Sequence, residues 1–333
     1  MRTGPGIFSP GTVGKVVVTG GAGAIGSRLV RRLLAEDAES VYVIDNLSSG
    51  YEWLLPADDR VSLDVRDVCD IFSIQTNFET PLVFHLAAFF ANQNSVDHPL
   101  DDLHTNGHGT LALLMWACQA SARRVIYASA GCSIAGHGID APICENMPVS
   151  LHLDTPYQIT KALGEFYCNY FISQSLSSVS CRFFNSYGPG EVPGQYRNVI
   201  PNFIWLALHN RPLTITGTGD ETRDFIYVED LVDGLIRGAR LPEAHGNAFN
   251  LGTGVQTRIG DLAEMVLRLT KSSSRITYGP RRPWDKSTRR QADISKARSV
   301  LHFDPRVGVE EGLGRTVEWF RENYNSIQHC IKE

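Results

Sequence analysis

The 333-residue chain lacks several features that would place it in a specialised class of proteins. No segment reaches the roughly 18 consecutive apolar residues that a membrane-spanning helix requires. The seven cysteines are an odd number and contain no Cys-x-x-Cys pair, so neither a disulfide framework nor a zinc knuckle is indicated. The formal net charge of -5 offers no large basic surface for nucleic acid. We therefore expect a soluble, cytoplasmic protein with no metal centre and no membrane or nucleic-acid partner.

The composition is that of an ordinary globular protein, with 43% hydrophobic and 20% charged residues. A chain of this length can bury a sizeable core and form one large domain or two smaller ones. Residues 1–14 contain glycine and proline but no apolar run of signal-peptide length, so they are predicted to form a flexible leader.

Short apolar runs alternate with helical patterns over the first half of the chain. Strands are predicted near 16–18, 41–44, 82–86, 124–128 and 179–184, and helices near 27–35, 109–122 and 157–173. Because parallel strands need crossover helices, this alternation predicts an α/β fold with a Rossmann-type doubly wound parallel sheet. The cofactor-binding domain is expected over residues 15–185, with a returning segment near 225–255. Glycine and proline breaks after residue 186 predict a smaller mixed α/β substrate domain over 186–333.

A glycine-rich turn joins the first predicted strand to the first predicted helix. Gly20, Gly23 and Gly26 form a GxxGxxG motif, which lets the backbone approach a pyrophosphate at the amides of a helix N-terminus. Asp45 ends the next strand, where a carboxylate can accept hydrogen bonds from a ribose diol. A carboxylate there would repel a 2′-phosphate, and no basic residue follows Asp45 or Asn46. The predicted cofactor is therefore NAD rather than NADP.

A YxxxK motif at the start of the helical stretch places Tyr157 and Lys161 about one turn apart on one helix face. The pKa of a tyrosine is near 10 in water, so a nearby ammonium is needed to favour its phenolate near neutrality. Tyr157 is the predicted general acid and base, and Lys161 the residue that assists it.

Taken together, these motifs resemble the extended short-chain dehydrogenase/reductase superfamily, in its NAD-dependent sugar-nucleotide epimerase/dehydratase branch. The resemblance covers nearly the whole chain, from about Lys15 to Phe320. Within this branch the chain resembles UDP-glucuronate and UDP-glucose 4-epimerases. The matching segments are TGGAGAIG (19–26), VIDNLSSG (43–50), LDVRD (63–67), FHLAA (84–88), YQITK (157–161), RFFNSYGPG (182–190), TRDFIYVEDLVDG (222–234), NLGTG (250–254), RRPWD (281–285) and ADISKA (292–297).

The resemblance implies roles for individual residues and a homodimeric assembly. It implies adenine contacts for Asp64 and Val65, and a place beside the nicotinamide for Phe183. The further cofactor residues that it implies are Ala24, Ile25, Asn46, Ser48, Leu86, Ala87, Ala88 and Ala128. A nucleotide-diphosphate sugar, UDP-linked in the epimerases that the chain resembles, would be held at its diphosphate by Asn185, Arg223 and Arg282, because amides and arginine forks suit phosphate. The resemblance also implies substrate contacts for Asn198, Thr216 and Asp285.

The segment 128–136, which reads ASAGCSIAG, bears on the reaction type. In the resembling family a dehydratase carries an Asp-Glu pair there and a decarboxylase a Glu, whereas this segment has no carboxylate. We therefore expect inversion at C4 through a 4-keto sugar. The usual catalytic Ser/Thr is also displaced, so Ser129, Cys132 and Ser133 are its candidate replacements. A thiol at Cys132 leaves a 3,5- or 5-epimerase open, and a dehydratase, a decarboxylase and a non-enzymatic NAD sensor also stay open.

Arg197 lies in the loop that faces the sugar in related epimerases. The resemblance places an arginine in the corresponding loop of UDP-glucuronate 4-epimerases, for the C6 carboxylate, and none in UDP-galactose 4-epimerases. Our hypothesis is that Arg197 selects a uronic acid.

Overall fold

The computed structural model describes residues 14–74, 78, 80–131, 135–136 and 141–331. Of the predicted leader, only Gly14 is among the described residues. The described strands are β1 (Gly14–Thr19), β2 (Ala38–Asp45), β3 (Val61–Val65), β4 (Leu82–His85), β5 (Arg124–Ala130), β6 (Ser178–Phe183), β7 (Asn185–Tyr187), β8 (Leu213–Thr216), β9 (Thr222–Arg223), β10 (Phe225–Tyr227), β11 (Ala248–Leu251), β12 (Thr257–Arg258) and β13 (Ile276–Gly279).

The helices fall between and after these strands. They are α1 (Ala24–Ala35), α2 (Asn92–Asp97), α3 (Pro99–Asp102), α4 (Thr110–Gln119), α5 (Pro156–Ser173), α6 (Val199–Leu208), α7 (Val228–Arg240), α8 (Ile259–Thr270), α9 (Ser295–Leu301), α10 (Val309–Glu322) and α11 (Tyr324–Cys330). A π-helical turn, Leu103–Gly109, leads into α4, and 3₁₀ turns cover Glu52–Leu54, Val68–Ser73 and Pro242–Ala244. Within the described part of the chain, no helix has both the length and the apolar character needed to cross a bilayer.

Seven strands form one large sheet in the order β11-β6-β5-β4-β1-β2-β3. Every neighbouring pair in it is parallel. The strand order reverses between β1 and β4, which is the position where open α/β sheets bind ligands at their carboxyl edge. The predicted doubly wound α/β fold is confirmed.

Both faces of this sheet are buried, which is why its strands read as apolar runs. Successive side chains of a strand point to opposite faces. Val16 and Val18 of β1 accordingly share a core with Leu29 of α1, whereas Val17 packs on the other side in a core with Leu113 of α4. The spacing of the valines therefore fixes which helix covers which face.

The second half of the chain contains a further hydrophobic core and also returns to the large sheet. This half contains three short strand pairs and the helices α6, α8 and α10. The pairs are β7 with β10, β9 with β12, and β8 with β13. Those three helices share a core through Ile204, Leu262 and Leu313. Leu231 of α7 belongs instead to the core that contains Val16, and β11 pairs with β6 at the edge of the large sheet.

Helix α5 approaches β5 closely because a glycine faces the strand. Tyr127 of β5 is fully buried, and its hydroxyl donates to the Lys161 carbonyl oxygen at 3.2 Å. A Cβ atom added at Gly164 would overlap the Tyr127 hydroxyl group. The absence of a side chain at residue 164 therefore sets the distance between α5 and the sheet.

We expect Gly164→Ala to destabilise the protein by about 1–3 kcal/mol, because the added methyl group forces α5 away from a close-packed strand. Urea unfolding followed by circular dichroism measures this change. Gly314→Ala is the matched control, since Gly314 lies within α10 and a Cβ there meets no atom within 4 Å. Alanine in a helix interior is favoured over glycine by roughly 0.5–1 kcal/mol, so the control should be neutral or stabilising. Equal unfolding midpoints for the two variants would contradict this account of the packing.

Candidate active site

A cleft of about 510 Å³ lies at the carboxyl edge of the large sheet, where the strand order reverses. Gly20 after β1, Asp45 at the end of β2 and Leu86 after β4 line it, together with Ala128 of β5 and Phe183 of β6. Parallel strands all present their carboxyl ends at one edge, so residues distant in sequence meet there.

Most of the predicted site residues line this cleft. They are Gly20, Gly23, Ala24, Ile25, Gly26, Asp45, Asn46, Ser48, Leu86, Ala87, Ala88, Ala128, Ser129, Tyr157, Lys161, Phe183, Asn185, Arg197 and Asn198. Six others do not line it, namely Asp64, Val65, Thr216, Arg223, Arg282 and Asp285. Cys132 and Ser133 lie outside the described residues. The role of each residue stays a prediction.

The glycine-rich turn has the geometry that close approach of a ligand requires. Gly20 has a φ of 71°, a left-handed conformation that favours glycine. A Cβ at Gly20 would lie 2.6 Å from the backbone nitrogen of Ala87. Gly23 caps α1 without a side-chain hydrogen bond, and the first three residues of the helix, Ala24, Ile25 and Gly26, line the cleft. This turn can hold a pyrophosphate.

Asp45 presents a carboxylate in the cleft at the end of β2. Its two oxygens accept hydrogen bonds from the backbone amides of Ala22 and Leu47, each at 2.9 Å. Burial raises the pKa of the Asp45 carboxyl above its ordinary value. A Cβ atom at Gly50 would lie 2.9 Å from both Asp45 carboxylate oxygens, so only a residue without a side chain fits beside them. The carboxylate is fixed where a ribose diol can donate to it.

Tyr157 and Lys161 lie side by side in the first turns of α5. The Thr155 side chain caps this helix by accepting from the Gln158 amide, and the Tyr157 amide donates to the Ser95 hydroxyl at 3.0 Å. The Lys161 ammonium donates to the Ala128 carbonyl oxygen at 2.9 Å and lies 5.7 Å from the centre of the Tyr157 ring. Burial lowers the pKa of Lys161 to about 8, and the Asp102 carboxylate opposes this shift.

A buried polar network, which the sequence motifs did not reveal, holds this helix to the cleft loop. The Asp102 carboxylate accepts from the Thr160 hydroxyl at 2.8 Å and from the Asn106 amide at 2.7 Å. The Asn106 side-chain oxygen in turn accepts from the Phe89 backbone amide at 2.8 Å. Phe89 lies in the loop that lines the cleft. The network therefore fixes that loop relative to the helix that carries Tyr157.

Ser129 lines the cleft, but its hydroxyl is engaged elsewhere. It donates to the Glu165 carboxylate, which also receives two hydrogen bonds from the Arg182 guanidinium at 2.9 and 2.8 Å. Glu165 and Arg182 are both buried. The hydroxyl proton of Ser129 thus points to a buried ion pair rather than to Tyr157.

Three arginines surround Asp285 beside the cleft. The guanidinium nitrogens of Arg223, Arg290 and Arg281 lie 2.9, 3.5 and 4.0 Å from its carboxylate oxygens. Among the described residues, the buried Nε and Nη2 atoms of Arg281 and Arg290 have no hydrogen-bond partner. Buried donors of this kind are costly unless an anion satisfies them.

Arg281 and Arg290 were missed by the sequence analysis, although the doubled arginines at 281–282 and 289–290 were a signal. Arg290 lines the cleft itself. Arg282, to which the resemblance assigned the diphosphate, is exposed, and its guanidinium lies 5.7 Å from the centre of the Trp284 ring. The structure thus presents Arg290, and not Arg282, to the cleft.

Arg197 lies at the rim of the cleft next to a buried carboxyl group. Its guanidinium donates to the Ser49 carbonyl oxygen at 2.8 Å. The Glu191 carboxylate accepts from the Asn198 side-chain amide at 2.8 Å, and burial raises the pKa of Glu191 to about 7 although the Arg197 charge opposes the rise. Glu191 also lines the cleft. Like Arg290, it belongs to no motif that the sequence analysis used.

The chain is similar to known proteins over most of its length. A model of the NAD dependent epimerase/dehydratase family matches residues 16–252. A UDP-glucose 4-epimerase from Mycolicibacterium smegmatis is 36% identical, and the match covers 92% of this chain and 98% of that protein. Other relatives, at 30–31% identity, are named as decarboxylases of UDP-linked uronic acids.

Solved structures match the fold as closely. An epimerase from the methanogen Methanothermobacter thermautotrophicus is 43% identical, with a TM-score of 0.89 and coverage of 96% of this chain and 95% of that one. MoeE5, solved with UDP-glucuronic acid and NAD, is 30% identical, with a TM-score of 0.82 and coverage of 93% and 99%.

The cleft fits the cofactor that these relatives share. The glycine turn leaves no room for side chains near the α1 amides, and the Asp45 carboxylate lies at the end of the next strand. The predicted cofactor, NAD, is confirmed, as is the prediction that the chain is an enzyme. This chain therefore belongs to the NAD-dependent epimerase/dehydratase family, within its group of UDP-sugar epimerases and decarboxylases.

Proposed function

We propose that the enzyme inverts C4 of a UDP-hexose through a transient 4-keto sugar. The candidate substrate pairs are UDP-glucuronate with UDP-galacturonate and UDP-glucose with UDP-galactose. The observation that carries the proposal is the buried Lys161 ammonium beside Tyr157, in a cleft that also receives Arg290. A phenol, a cation and an anion-binding cluster are the groups that this reaction needs.

The glycine-rich turn and Asp45 would hold NAD, which would supply the acceptor and donor of the C4 hydride. Tyr157, as the phenolate, takes the proton from the O4 hydroxyl, and the Lys161 ammonium stabilises the phenolate charge. After the keto sugar turns over, the Tyr157 hydroxyl gives the proton back to O4 while C4 regains hydrogen on its opposite face. The substrate and product are isomers, so no further reactant is consumed.

The segment that follows Ala128 favours C4 inversion over the competing reactions. Removal of a C5 proton or loss of water requires an additional acid or base, and residues 128–136 contain no carboxylate. The relatives named as decarboxylases keep decarboxylation of a UDP-uronic acid as the second candidate function.

We further propose that Arg223, Arg281 and Arg290 bind the diphosphate of the substrate. Three guanidinium groups face Asp285, and the buried Glu221 carboxylate also interacts with Arg281, so positive charge still exceeds negative charge in this largely buried place. A diphosphate would neutralise this excess, and its oxygens would accept hydrogen bonds from the guanidinium nitrogens of Arg281 and Arg290 that have no hydrogen-bond partner among the described residues.

The Tyr157→Phe variant tests the reaction mechanism. Loss of the phenolic oxygen removes the general acid and base, so we expect kcat for interconversion to fall at least about 100-fold. Products are identified by NMR in deuterated water, where C4 inversion without solvent deuterium marks a 4-epimerase. Tyr170→Phe, an exposed tyrosine of the same helix, is the matched control. A Tyr157→Phe enzyme with unchanged kcat and bound NAD would reject the mechanism, and released carbon dioxide would favour the decarboxylase.

The Arg290→Ala and Arg282→Ala variants test the diphosphate site. A hydrogen bond to a charged group contributes about 1.5–3 kcal/mol, so Arg290→Ala should weaken UDP binding about tenfold to hundredfold. Arg282→Ala removes an exposed side chain and should change the binding energy by no more than about 0.5 kcal/mol. Isothermal titration with UDP on the NAD-loaded enzyme measures both. The reverse order of effects would show that the phosphate contact belongs to Arg282.

The Arg197→Ala variant tests selection of a uronic acid. If the guanidinium binds the C6 carboxylate, kcat/KM should fall at least about tenfold for UDP-glucuronate and change little for UDP-glucose. Arg306→Ala is the matched control, because Arg306 is an exposed arginine that does not line the cleft. Equal losses with the two substrates would remove the proposed role of Arg197.

A further inference from the structure

Two histidines and a cysteine meet at the surface near one end of the cofactor cleft. His104 and His108 lie one turn apart at the π-helical turn before α4, with their rings stacked at 5.4 Å between centroids and tilted by 10°. Cys69 comes from the facing 3₁₀ turn, and its thiol donates to the His104 carbonyl oxygen at 3.4 Å. One ligand atom from each of these three residues lies within 4.8 Å of the other two.

This group has the chemistry of a transition-metal ligand set. One sulfur and two imidazole nitrogens are ligands that Zn²⁺ and Co²⁺ bind, with bonds of about 2.0–2.3 Å. A tetrahedral ion with such bonds separates its ligand atoms by roughly 3.5 Å, so the side chains need to close by about 1 Å. Both imidazoles are exposed and can rotate without disturbing the core. The backbone already holds the three residues close enough for their side chains to bind one ion.

We propose that Cys69, His104 and His108 bind a divalent transition metal ion, with zinc as the expected ion. Three protein ligands leave the fourth coordination position open to water. Asp67 adds negative charge beside the site, since its carboxylate accepts from the Cys69 backbone amide at 2.9 Å and from Asn46 at 2.8 Å. The inference does not depend on which sugar the enzyme uses.

A cysteine binds a metal ion as the thiolate, so the bound cation has to displace the proton of the Cys69 thiol.

A metal ion here would link two segments that both border the cleft. Asp67 and Val68 line it from the cysteine side, and His104 and Thr105 line it from the histidine side. The segments already approach closely, since a Cβ at Gly109 would lie 2.7 Å from a Val68 methyl carbon and 3.3 Å from the Cys69 sulfur. An ion that binds the folded chain but not the unfolded chain raises the free energy of unfolding. We therefore expect zinc to raise the melting temperature of the NAD-loaded enzyme.

The experiment is a titration of the 333-residue, NAD-loaded and chelator-treated enzyme with cobalt chloride, followed by absorption spectroscopy. We expect a thiolate-to-cobalt charge-transfer band and tetrahedral visible bands that saturate with one ion per chain and disappear when zinc is added. Cys69→Ser should abolish the charge-transfer band. Loss of a residue that only supports a metal ligand weakens metal binding by about 10- to 100-fold. His108→Ala removes a ligand itself, so it should weaken cobalt binding at least about 100-fold.

The controls are Cys118→Ser, another half-buried cysteine, and His302→Ala, another exposed histidine. Both should bind cobalt as the unmodified enzyme does. Circular dichroism and bound NAD show whether each variant is folded. The proposal is rejected if the unmodified enzyme gives no charge-transfer band, or if folded Cys69→Ser or His108→Ala binds cobalt with unchanged spectrum and affinity.

Discussion

The burial of the Lys161 ammonium is the constraint on which the rest of the site depends. A cation removed from water is costly, and burial accordingly lowers the pKa of Lys161. The Ala128 carbonyl and the Asp102 carboxylate offset this cost. Because Ala128 belongs to β5 and Asp102 to α3, the ammonium is stabilised only where α5 meets both of these elements. The position of the cation therefore determines where Tyr157 lies.

Helix α5 is attached to the sheet by two further contacts of different kinds. Gly164 allows Tyr127 to pack directly against the helix backbone, and Glu165 forms a buried ion pair with Arg182 of β6. The Ser129 hydroxyl joins that ion pair from β5. A buried pair of this kind adds specificity of position more readily than stability. These contacts together explain how one helix can hold a phenol and an ammonium with little freedom.

The two parts of the chain each place a charged group in the cleft that suits a different ligand. The large sheet supplies the Asp45 carboxylate, held by two backbone amides, whereas the second half of the chain supplies Arg223, Arg281 and Arg290. A dinucleotide with ribose hydroxyls suits the first and a diphosphate suits the second. The proposed reaction requires both ligands in one cleft, and Asp45 and Arg290 both line that cleft.

The sequence by itself determined the parallel sheet, the cofactor turn and the pairing of Tyr157 with Lys161. These features depend on residues close together in the chain, through strand alternation, glycine spacing and one helical turn. Only the tertiary structure decided that Arg281 and Arg290 approach Asp285 while Arg282 lies over Trp284, because the local turn geometry orients adjacent side chains differently. The same holds for Asp102 with Thr160 and for Cys69 with the pair of His104 and His108. Their partners lie on separate elements, and contacts between elements leave no periodic pattern in a single sequence.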